Sequence, residues 1–283
     1  MKKLHHISFA GERPLYRSSD LHLVDVTIHP GESSIKHGRN ILAEECRFEG
    51  KYVFWECDNV KVKHSYFADS ARSSIWYSRG IVLEDCDIDA PKLFRRASGV
   101  SVVNSHFHNA LETFWDCANV RLQKVKIEHA DYLFMHGENI DIRDYHQDGN
   151  YSFQYARNVE IHDAVINSKD SFWESEDCTI YDSEINGEYL GWYAKNLRLV
   201  RCHISGEQPL CYCENLVLED CTFAEDADRA FEYSSVEASI RGRITSIKKP
   251  YTGVITADEI GETLEADAAQ FLSNSTPSRN VLL

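Results

Sequence analysis

The stretch ETFWDCANVRLQKVKI, from Glu112 to Ile127, is the unit from which most of the chain is built. It begins with a short aromatic strand, turns at the small residues Cys117-Ala118-Asn119, and continues as a second strand. Val120 and Leu122 alternate with polar residues in that second strand, and a period of two indicates β-structure. The unit therefore predicts two strand segments joined by a sharp corner.

The same unit recurs along the chain in steps of 19, 20 or 21 residues. One apolar position marks the longer strand of each copy: Leu21, Ile41, Val60, Ile81, Val100, Val120, Ile140, Val159, Cys178, Leu197 and Leu216. A fixed period of this length is typical of stacked supersecondary units, and no helical spacing competes with it. We therefore predict an all-β fold, a single-stranded right-handed parallel β-helix of about 11–12 short coils with terminal caps.

Two further columns of the repeat support this fold. The first is apolar and mostly aromatic, and it predicts an inward-facing ladder: Ile35, Phe54, Ile75, Phe94, Phe114, Phe134, Phe153, Phe172, Leu210 and Phe231. The second holds Asn, or Gly at two positions, which tolerate the left-handed backbone of a sharp corner: Asn40, Asn59, Gly80, Gly99, Asn119, Asn139, Asn158, Asn196 and Asn215. Asn side chains stacked in this way can bond from coil to coil.

The ends of the chain depart from the pattern. Residues 1–17 are interpreted as an N-terminal cap, and residues 18–244 as the β-helix itself. Residues 245–266 are interpreted as capping strands joined by a turn at Lys249–Gly253. The tail, residues 267–283, is expected to form a short helix followed by a disordered end.

The composition narrows the class of partner. With 283 residues and a formal charge of −15, the chain is poorly suited to nucleic acid or to an anionic membrane surface. A polyanionic substrate is disfavoured too, unless a local basic patch offsets the field. No apolar stretch is long enough to span a bilayer, and no secretion signal is apparent. Nine cysteines without such a signal indicate a cytoplasmic protein with reduced thiols. Cys211 and Cys213 lack a second pair, so no metal and no cofactor are predicted.

Several segments resemble a known family. They are GERPLY at 11–16, YSFQYARNVEI at 151–161, KDSFWE at 169–174, GEYLGWYAKNL at 187–197, GEQPLCYCENL at 206–216, AFEYSSVEASI at 230–240 and SIKKPYTGVITADEIGETL at 246–264. Together they resemble an uncharacterised bacterial family of right-handed parallel β-helix proteins, related in architecture to the pectin-lyase-like superfamily. The resemblance implies the fold over nearly the whole chain. It implies no reaction and transfers no catalytic residue.

All five tryptophans fall in the column that directly follows the aromatic ladder: Trp55, Trp76, Trp115, Trp173 and Trp192. If the ladder faces inward, alternation places this column outward, as an aromatic strip suited to stacking on sugars. We therefore predict these five residues as substrate-binding. Two other interpretations stay open, that the strip packs under a terminal segment or that the assumed inward and outward faces are reversed.

The next column is ionisable throughout, and its central members are candidate catalytic residues: Arg96, Asp116, His136, Tyr155 and Glu174. Successive coils lie ~4.8 Å apart, so an arginine, a carboxylate and an imidazole come within reach of each other. Asp116 and Glu174 are three coils apart, too far for a paired-carboxylate hydrolase. Arg96 neutralising a substrate acid, with His136 or Tyr155 as base, fits a lyase-type elimination better. The alternative is a salt-bridged ladder without catalytic use.

An acidic column, beginning with Asp25, Glu45 and Asp85, is interpreted as a solvated face, with calcium binding left open. Two functions follow from these patterns. The first is carbohydrate binding or processing, including lyase-type cleavage, with an oligosaccharide as ligand. The second is a non-catalytic scaffold whose aromatic face binds a partner chain or a second copy of itself. The sequence leaves open whether the protein is an enzyme and whether it forms a homo-oligomer.

Overall fold

The structure, a computed structural model, describes residues 1–264 and 268–273, and in the last of these segments only the backbone. The backbone divides into two compact units, Met1–Asp148 and Gly149–Leu283, referred to below as unit 1 and unit 2. Both are built from parallel strands. The helix among the described residues is a single 3₁₀ turn at Asp69–Ala71. No described helix is long and apolar enough to cross a membrane.

Unit 1 holds the first thirteen strands, the last of which ends just past its boundary. They are β1 (Lys2–Glu12), β2 (Ser19–Glu32), β3 (Arg39–Glu44), β4 (Arg47–Phe48), β5 (Asp58–Lys63), β6 (Tyr66–Phe67), β7 (Ile75–Trp76), β8 (Arg79–Glu84), β9 (Asp87–Ile88), β10 (Phe94–Arg95), β11 (Ser98–Phe107), β12 (Ala118–Ile127) and β13 (Glu138–Asn150). Within the unit, strands pair in parallel with the equivalent strand one repeat later. For example, Val102 of β11 lies opposite Leu122 of β12, and Phe107 lies opposite Ile127.

Unit 2 holds the remaining strands. They are β14 (Arg157–Lys169), β15 (Glu176–Tyr181), β16 (Glu184–Asn186), β17 (Lys195–Val200), β18 (His203–Ser205), β19 (Leu216–Phe223), β20 (Ser235–Lys248), β21 (Thr252–Leu264) and β22 (Ala268–Ser273). The register again joins equivalent positions of neighbouring repeats, as where Cys178 of β15 lies opposite Leu197 of β17. Each unit is therefore a parallel β-solenoid, as the period of the sequence predicts.

The core of each unit is the inward-facing side of this ladder. Every member of the predicted aromatic column is fully buried. In unit 1 the ring of Phe114 stacks on Phe94 at 4.6 Å and 9°, and on Phe134 at 4.6 Å and 7°. In unit 2 Phe153 stacks on Phe172 at 4.7 Å and 4°. Burial of each ring contributes roughly 1.5–3 kcal/mol, so this column supplies much of the core.

The asparagine column forms the predicted corner ladder. Its asparagines have φ between 52° and 56°, and its two glycines have φ 65°, the left-handed region that both residue types tolerate. In unit 1 the Asn59 amide donates to Asn40 Oδ1 at 2.9 Å. In unit 2 the Asn215 amide donates to Asn196 Oδ1 at 3.0 Å. The ladder therefore satisfies side-chain amides from coil to coil at the position where the backbone turns.

The ends of the chain continue the repeat further than its sequence indicates. Residues 1–17 were expected to lie outside the repeat, yet β1 pairs in parallel with β2, with Leu4 opposite Leu23. Likewise β21 pairs in parallel with β20, so the segment Lys249–Gly253 is a coil corner rather than a turn between capping strands. These segments raise the total to about 14 turns, above the 11–12 coils expected.

The tail also differs from its expected structure. Ala268–Ser273 is a strand, β22, in parallel register with β21, and not the start of a short helix. Its six residues, AAQFLS, show no clear alternation of apolar and polar side chains, so sequence pattern alone does not distinguish this strand from a helical segment. Residues 265–267 and 274–283, to which the expected disordered end belongs, lie outside the described residues.

The described residues include all nine cysteines, which are free and buried. Burial raises the pKa of Cys57, Cys86 and Cys117 to about 12 from the ordinary value of 9.0. Above pH 9 the unfolded chain loses these thiol protons and the folded chain retains them, so folding stability is intact below pH 9 and falls as the pH rises towards 12.

We therefore expect the native protein at neutral pH to react with a thiol reagent far more slowly than the unfolded protein. Titration with a chromogenic disulfide, with and without denaturant, measures this difference. Urea unfolding repeated at several alkaline pH values tests the loss of stability. Fast labelling of several thiols in the native state would contradict the buried arrangement.

Candidate functional site

The ionisable column lies at a second backbone corner. Its eleven members have φ between 49° and 60°: His37, Glu56, Tyr77, Arg96, Asp116, His136, Tyr155, Glu174, Tyr193, Tyr212 and Tyr233. Left-handed backbone is uncommon for tyrosine or glutamate, which lack the short polar side chain of Asn or Asp. This backbone conformation is imposed by burial on both sides of each corner residue. The aromatic-column residue two positions earlier is buried, and so is the small residue one position later, such as Cys117 or Ser175. The corner turns these eleven side chains towards solvent.

The tryptophan column of unit 1 forms a stacked ladder with an arginine in it. This unit-1 ladder consists of Trp55, Trp76, Arg95 and Trp115. Trp55 and Trp76 stack at 5.1 Å and 28°. The Arg95 guanidinium lies 4.5 Å from the Trp76 ring centre and 4.4 Å from that of Trp115. Both faces of Trp76 are thus covered by neighbours, and ring edges are what it presents to solvent.

Two indole N–H groups and one guanidinium nitrogen of the ladder are also hydrogen-bonded. The indole N–H of Trp76 donates to the Lys92 carbonyl at 2.7 Å, and that of Trp115 to the Tyr132 carbonyl. A terminal nitrogen of Arg95 donates to Glu112 at 3.2 Å. Each cation–π contact contributes about 0.5–2 kcal/mol, depending on desolvation. The ladder therefore holds adjacent coils together, and stacking of a sugar on Trp55 or Trp76 would require displacement of a neighbour.

The structure places the predicted catalytic residues in two groups. In unit 1, Arg96 Nε lies 3.4 Å from Asp116 Oδ2, with the two side chains 61% and 40% exposed. His136 is exposed one coil further along the same column. In unit 2, Tyr155 and Glu174 occupy adjacent coils, joined where the Tyr155 amide donates to the Trp173 carbonyl at 2.8 Å. The ion pair between Arg96 and Asp116 is well solvated, which limits its contribution to stability to about 0–1 kcal/mol.

The tryptophans of unit 2 extend into a tyrosine stack. Trp173 and Trp192 stack at 5.4 Å and 30°. Tyr193 then stacks on Tyr212 at 4.8 Å and 13°. The Trp192 indole N–H donates to the Gln208 carbonyl at 2.8 Å, and that of Trp173 reaches Glu174 Oε1 at 3.3 Å. Here too the ring faces meet within the stack, while the phenol edges of the tyrosines point outward.

A groove of about 530 Å³ follows this stack on the surface of unit 2. It is lined by Arg157, Glu174, Ser175, Glu176, Tyr193, Lys195, Tyr212 and Glu214, which are referred to below as the unit-2 groove. One wall is the ionisable column, and the other is the column two residues later. The charges of that second wall alternate in sign. The distance from Arg157 Nε to Glu176 Oε2 is 3.4 Å, and that from Lys195 Nζ to Glu214 Oε2 is 3.3 Å.

Tyr212 lies at the partly desolvated end of the groove. Burial, followed by the charge of Glu232, raises the pKa of its phenol above the ordinary value of 10.0. Glu232 is 8% exposed and pairs with Lys248 at 3.0 Å, and its other oxygen lies 3.5 Å from the Tyr212 hydroxyl. The phenol therefore stays protonated at neutral pH and can act as a hydrogen-bond donor.

The sequence predicts one wall of the groove, the ionisable column, as a candidate site, and it does not predict the other wall. Glu174 belongs to the predicted catalytic set, and Tyr193 and Tyr212 to the same column. Arg157, Glu176, Lys195 and Glu214 were not singled out, although their alternating sign at steps of 19 residues was visible in the sequence. What the pattern could not show is that the corner opens a space between the two columns.

Three solved structures are similar to this chain at low identity. The surface adhesin PfbA of Streptococcus pneumoniae is 11% identical over 95% of this chain and 81% of that chain, with a TM-score of 0.44. The A-module of mannuronan C-5 epimerase AlgE4 of Azotobacter vinelandii is 11% identical over 85% and 91%, with a TM-score of 0.40. The pentapeptide repeat protein HetL of Nostoc sp. is 10% identical over 78% and 92%, with a TM-score of 0.38.

At these TM-scores the likenesses carry no argument about function. A search of curated proteins gave no match. The family model DUF3737, described as "Protein of unknown function", matches residues 2–276, so the chain belongs to that family.

Proposed function

We propose that the protein binds a neutral oligosaccharide in the unit-2 groove. The observation that supports this most directly is the mixed lining of the groove, in which carboxylates, basic groups and tyrosine edges alternate along one open surface. Sugar hydroxyls both donate and accept hydrogen bonds, so they can use every one of these groups. A ligand that lies along the stacked coils would meet a new set of polar groups every ~4.8 Å.

Charge supports a neutral ligand over an acidic one. The groove contains three glutamates and two basic residues, and each basic residue is already paired with a glutamate. The whole chain adds a formal charge of −15. A polyanion would therefore meet repulsion both in the groove and at a distance.

The distribution of charge also favours binding over lyase-type cleavage. An elimination would need an acidic sugar whose carboxylate is neutralised by Arg96, with His136 or Tyr155 as the base. Arg96 already faces Asp116 at 3.4 Å in an exposed position, where water competes with any substrate. The proposal therefore assigns binding as the primary activity. Unsaturated products released from an acidic oligosaccharide, and lost on His136→Ala or Arg96→Ala, would restore the lyase interpretation.

Calorimetric titration with cellohexaose, maltohexaose and chitohexaose, each compared with an oligogalacturonate, tests the proposal. The double variant Tyr193→Phe/Tyr212→Phe keeps the stacked rings and removes two hydroxyls from the groove. Because hydrogen bonds in a polar site contribute about 0.5–1.5 kcal/mol each, we expect the affinity for the neutral ligand to fall roughly tenfold.

The control is Tyr77→Phe, since Tyr77 occupies the same column in unit 1 at 41% exposure. Its affinity should match that of the wild type. Preference for the acidic oligomer, no binding of any neutral ligand, or unchanged affinity in the double variant would each count against the proposal.

A second candidate function rests on the unit-1 ladder. Tryptophan and arginine are enriched at protein interfaces, and here three tryptophans and one arginine are partly exposed in a single row. The occupant in this alternative is a second copy of the chain. Light scattering after size exclusion tests it, since Trp55→Ser should halve the mass if the ladder forms a dimer interface. A monomeric wild type would remove this candidate.

A further inference from the structure

A cluster of two histidines and two carboxylates lies on the outer surface of unit 1, on strands that carry no member of the unit-1 ladder. His106 and His108 stand two positions apart at the end of β11, so both point outward. Asp87 of β9 is the direct neighbour of His106 in the parallel ladder. Glu128 follows Ile127, which is the ladder neighbour of Phe107. The repeat thus brings four metal-binding side chains from three successive coils to one place.

The contacts within the cluster are close. His108 Nε2 lies 2.6 Å from Asp87 Oδ1, and His106 Nε2 lies 2.9 Å from Glu128 Oε2. The two imidazole rings are 3.8 Å apart, and His108 Nδ1 is 3.7 Å from Glu128 Oε2. One ligand atom each from Asp87, His106 and His108 can be chosen so that all lie within 4.8 Å of one another.

We propose that Asp87, His106 and His108 bind one Zn²⁺ ion, with Glu128 within reach as a fourth ligand. Zinc takes imidazole nitrogen and carboxylate oxygen at about 2.0–2.2 Å in tetrahedral geometry, so neighbouring ligand atoms stand roughly 3.4 Å apart. The cluster needs to contract by less than about 1.5 Å to reach that spacing, which small side-chain rotations supply. Calcium and magnesium prefer oxygen ligands alone and fit this set less well.

In the absence of metal, the carboxylates accept hydrogen bonds from the imidazoles. Zinc would replace the protons in those bonds, and a carboxylate that does not bind the ion would still orient an imidazole through its other nitrogen. Lys126, whose ammonium is 2.6 Å from Glu128 Oε1, competes for that carboxylate and favours the three-ligand form with water in the fourth position. Asp87 and the two histidines come from adjacent coils, so the ion would join two coils, or three where Glu128 also binds, and stabilise the folded state in proportion to its occupancy.

The experiment uses full-length protein freed of any histidine tag and treated with a chelator. Zn²⁺ is titrated in competition with a chromogenic chelator, and Co²⁺ is added separately to record its visible absorption. We expect one equivalent of Zn²⁺ to bind, a rise in melting temperature on binding, and the intense Co²⁺ bands of a tetrahedral site. The double variant His106→Ala/His108→Ala should lose on the order of 100-fold or more in affinity.

The matched control is His22→Ala. His22 forms a comparable surface pair, with Nε2 2.6 Å from Glu44 Oε2, but that pair is not part of a three-ligand group among the described residues. The control should bind zinc as the wild type does, and circular dichroism should show that both variants are folded. Failure of the wild type to bind one equivalent, or equal binding by the double variant, would overturn the proposal.

Discussion

Replacing Phe114 with alanine should lower the free energy of unfolding by about 3–5 kcal/mol. The ring is fully buried and is stacked on both faces at 4.6 Å, so its removal leaves a cavity bounded by two aromatic rings that cannot close over it. The loss combines the transfer free energy of the ring with the cavity term. Urea unfolding followed by tryptophan fluorescence measures it, since Trp115 is the adjacent residue.

Phe114→Leu is the control for this prediction. Leucine keeps most of the apolar volume at the same position, and we expect a loss below about 2 kcal/mol. If Phe114→Ala cost less than about 1 kcal/mol, the stacked aromatic column would not be the principal core of unit 1.

Replacing Gly206 with alanine should destabilise unit 2 by roughly 3–5 kcal/mol. Gly206 has φ +103°, a conformation in which an L-residue is strained. A Cβ added there would also collide with the carbonyl group of Gly187 in the adjacent coil, which is backbone and cannot rotate away. The two effects add because one concerns the local backbone and the other a neighbouring coil. The unfolding midpoint of the variant measures their sum.

Gly242→Ala separates the two effects. Gly242 has a comparable φ of +81°, but a Cβ there would meet no atom within 4 Å. We expect only the backbone strain, about 1–2 kcal/mol. Equal losses in the two variants would show that close approach of the coils at Gly206 is unimportant.

Much of this fold follows from the sequence because successive coils of a solenoid need the same residue types at the same positions. The aromatic column and the asparagine corners were predicted correctly, including which side faces inward, because burial and left-handed backbone each select a few residue types. The first coil was harder to identify. Among the described residues Lys2–Glu12 pairs with one strand, β2, so Ile7 stays exposed although it lies opposite the buried Val26, and the burial pattern that marks the other coils is absent.

The candidate sites were less predictable, since they depend on how side chains of adjacent columns arrange themselves. Alternation indicated that Trp76 points outward, but the stacking of Trp55 and Arg95 on its two faces is a matter of rotamers. Likewise, the zinc site proposed above does not follow from local sequence motifs, because His106 and His108 gain their carboxylate neighbours only from the register of three coils. Short-range spacing in the sequence does not contain that register.

Hydrogen–deuterium exchange of the full chain, with and without saturating cellohexaose and maltohexaose, tests the central proposal most directly. The proposal predicts slower exchange in the coil corners that form the unit-2 groove, at residues 174–176, 193–195 and 212–214, for at least one of these sugars. It also predicts unchanged exchange around Trp55, Trp76 and Trp115. Protection confined to the unit-1 ladder, or no protection with any neutral sugar, would contradict it.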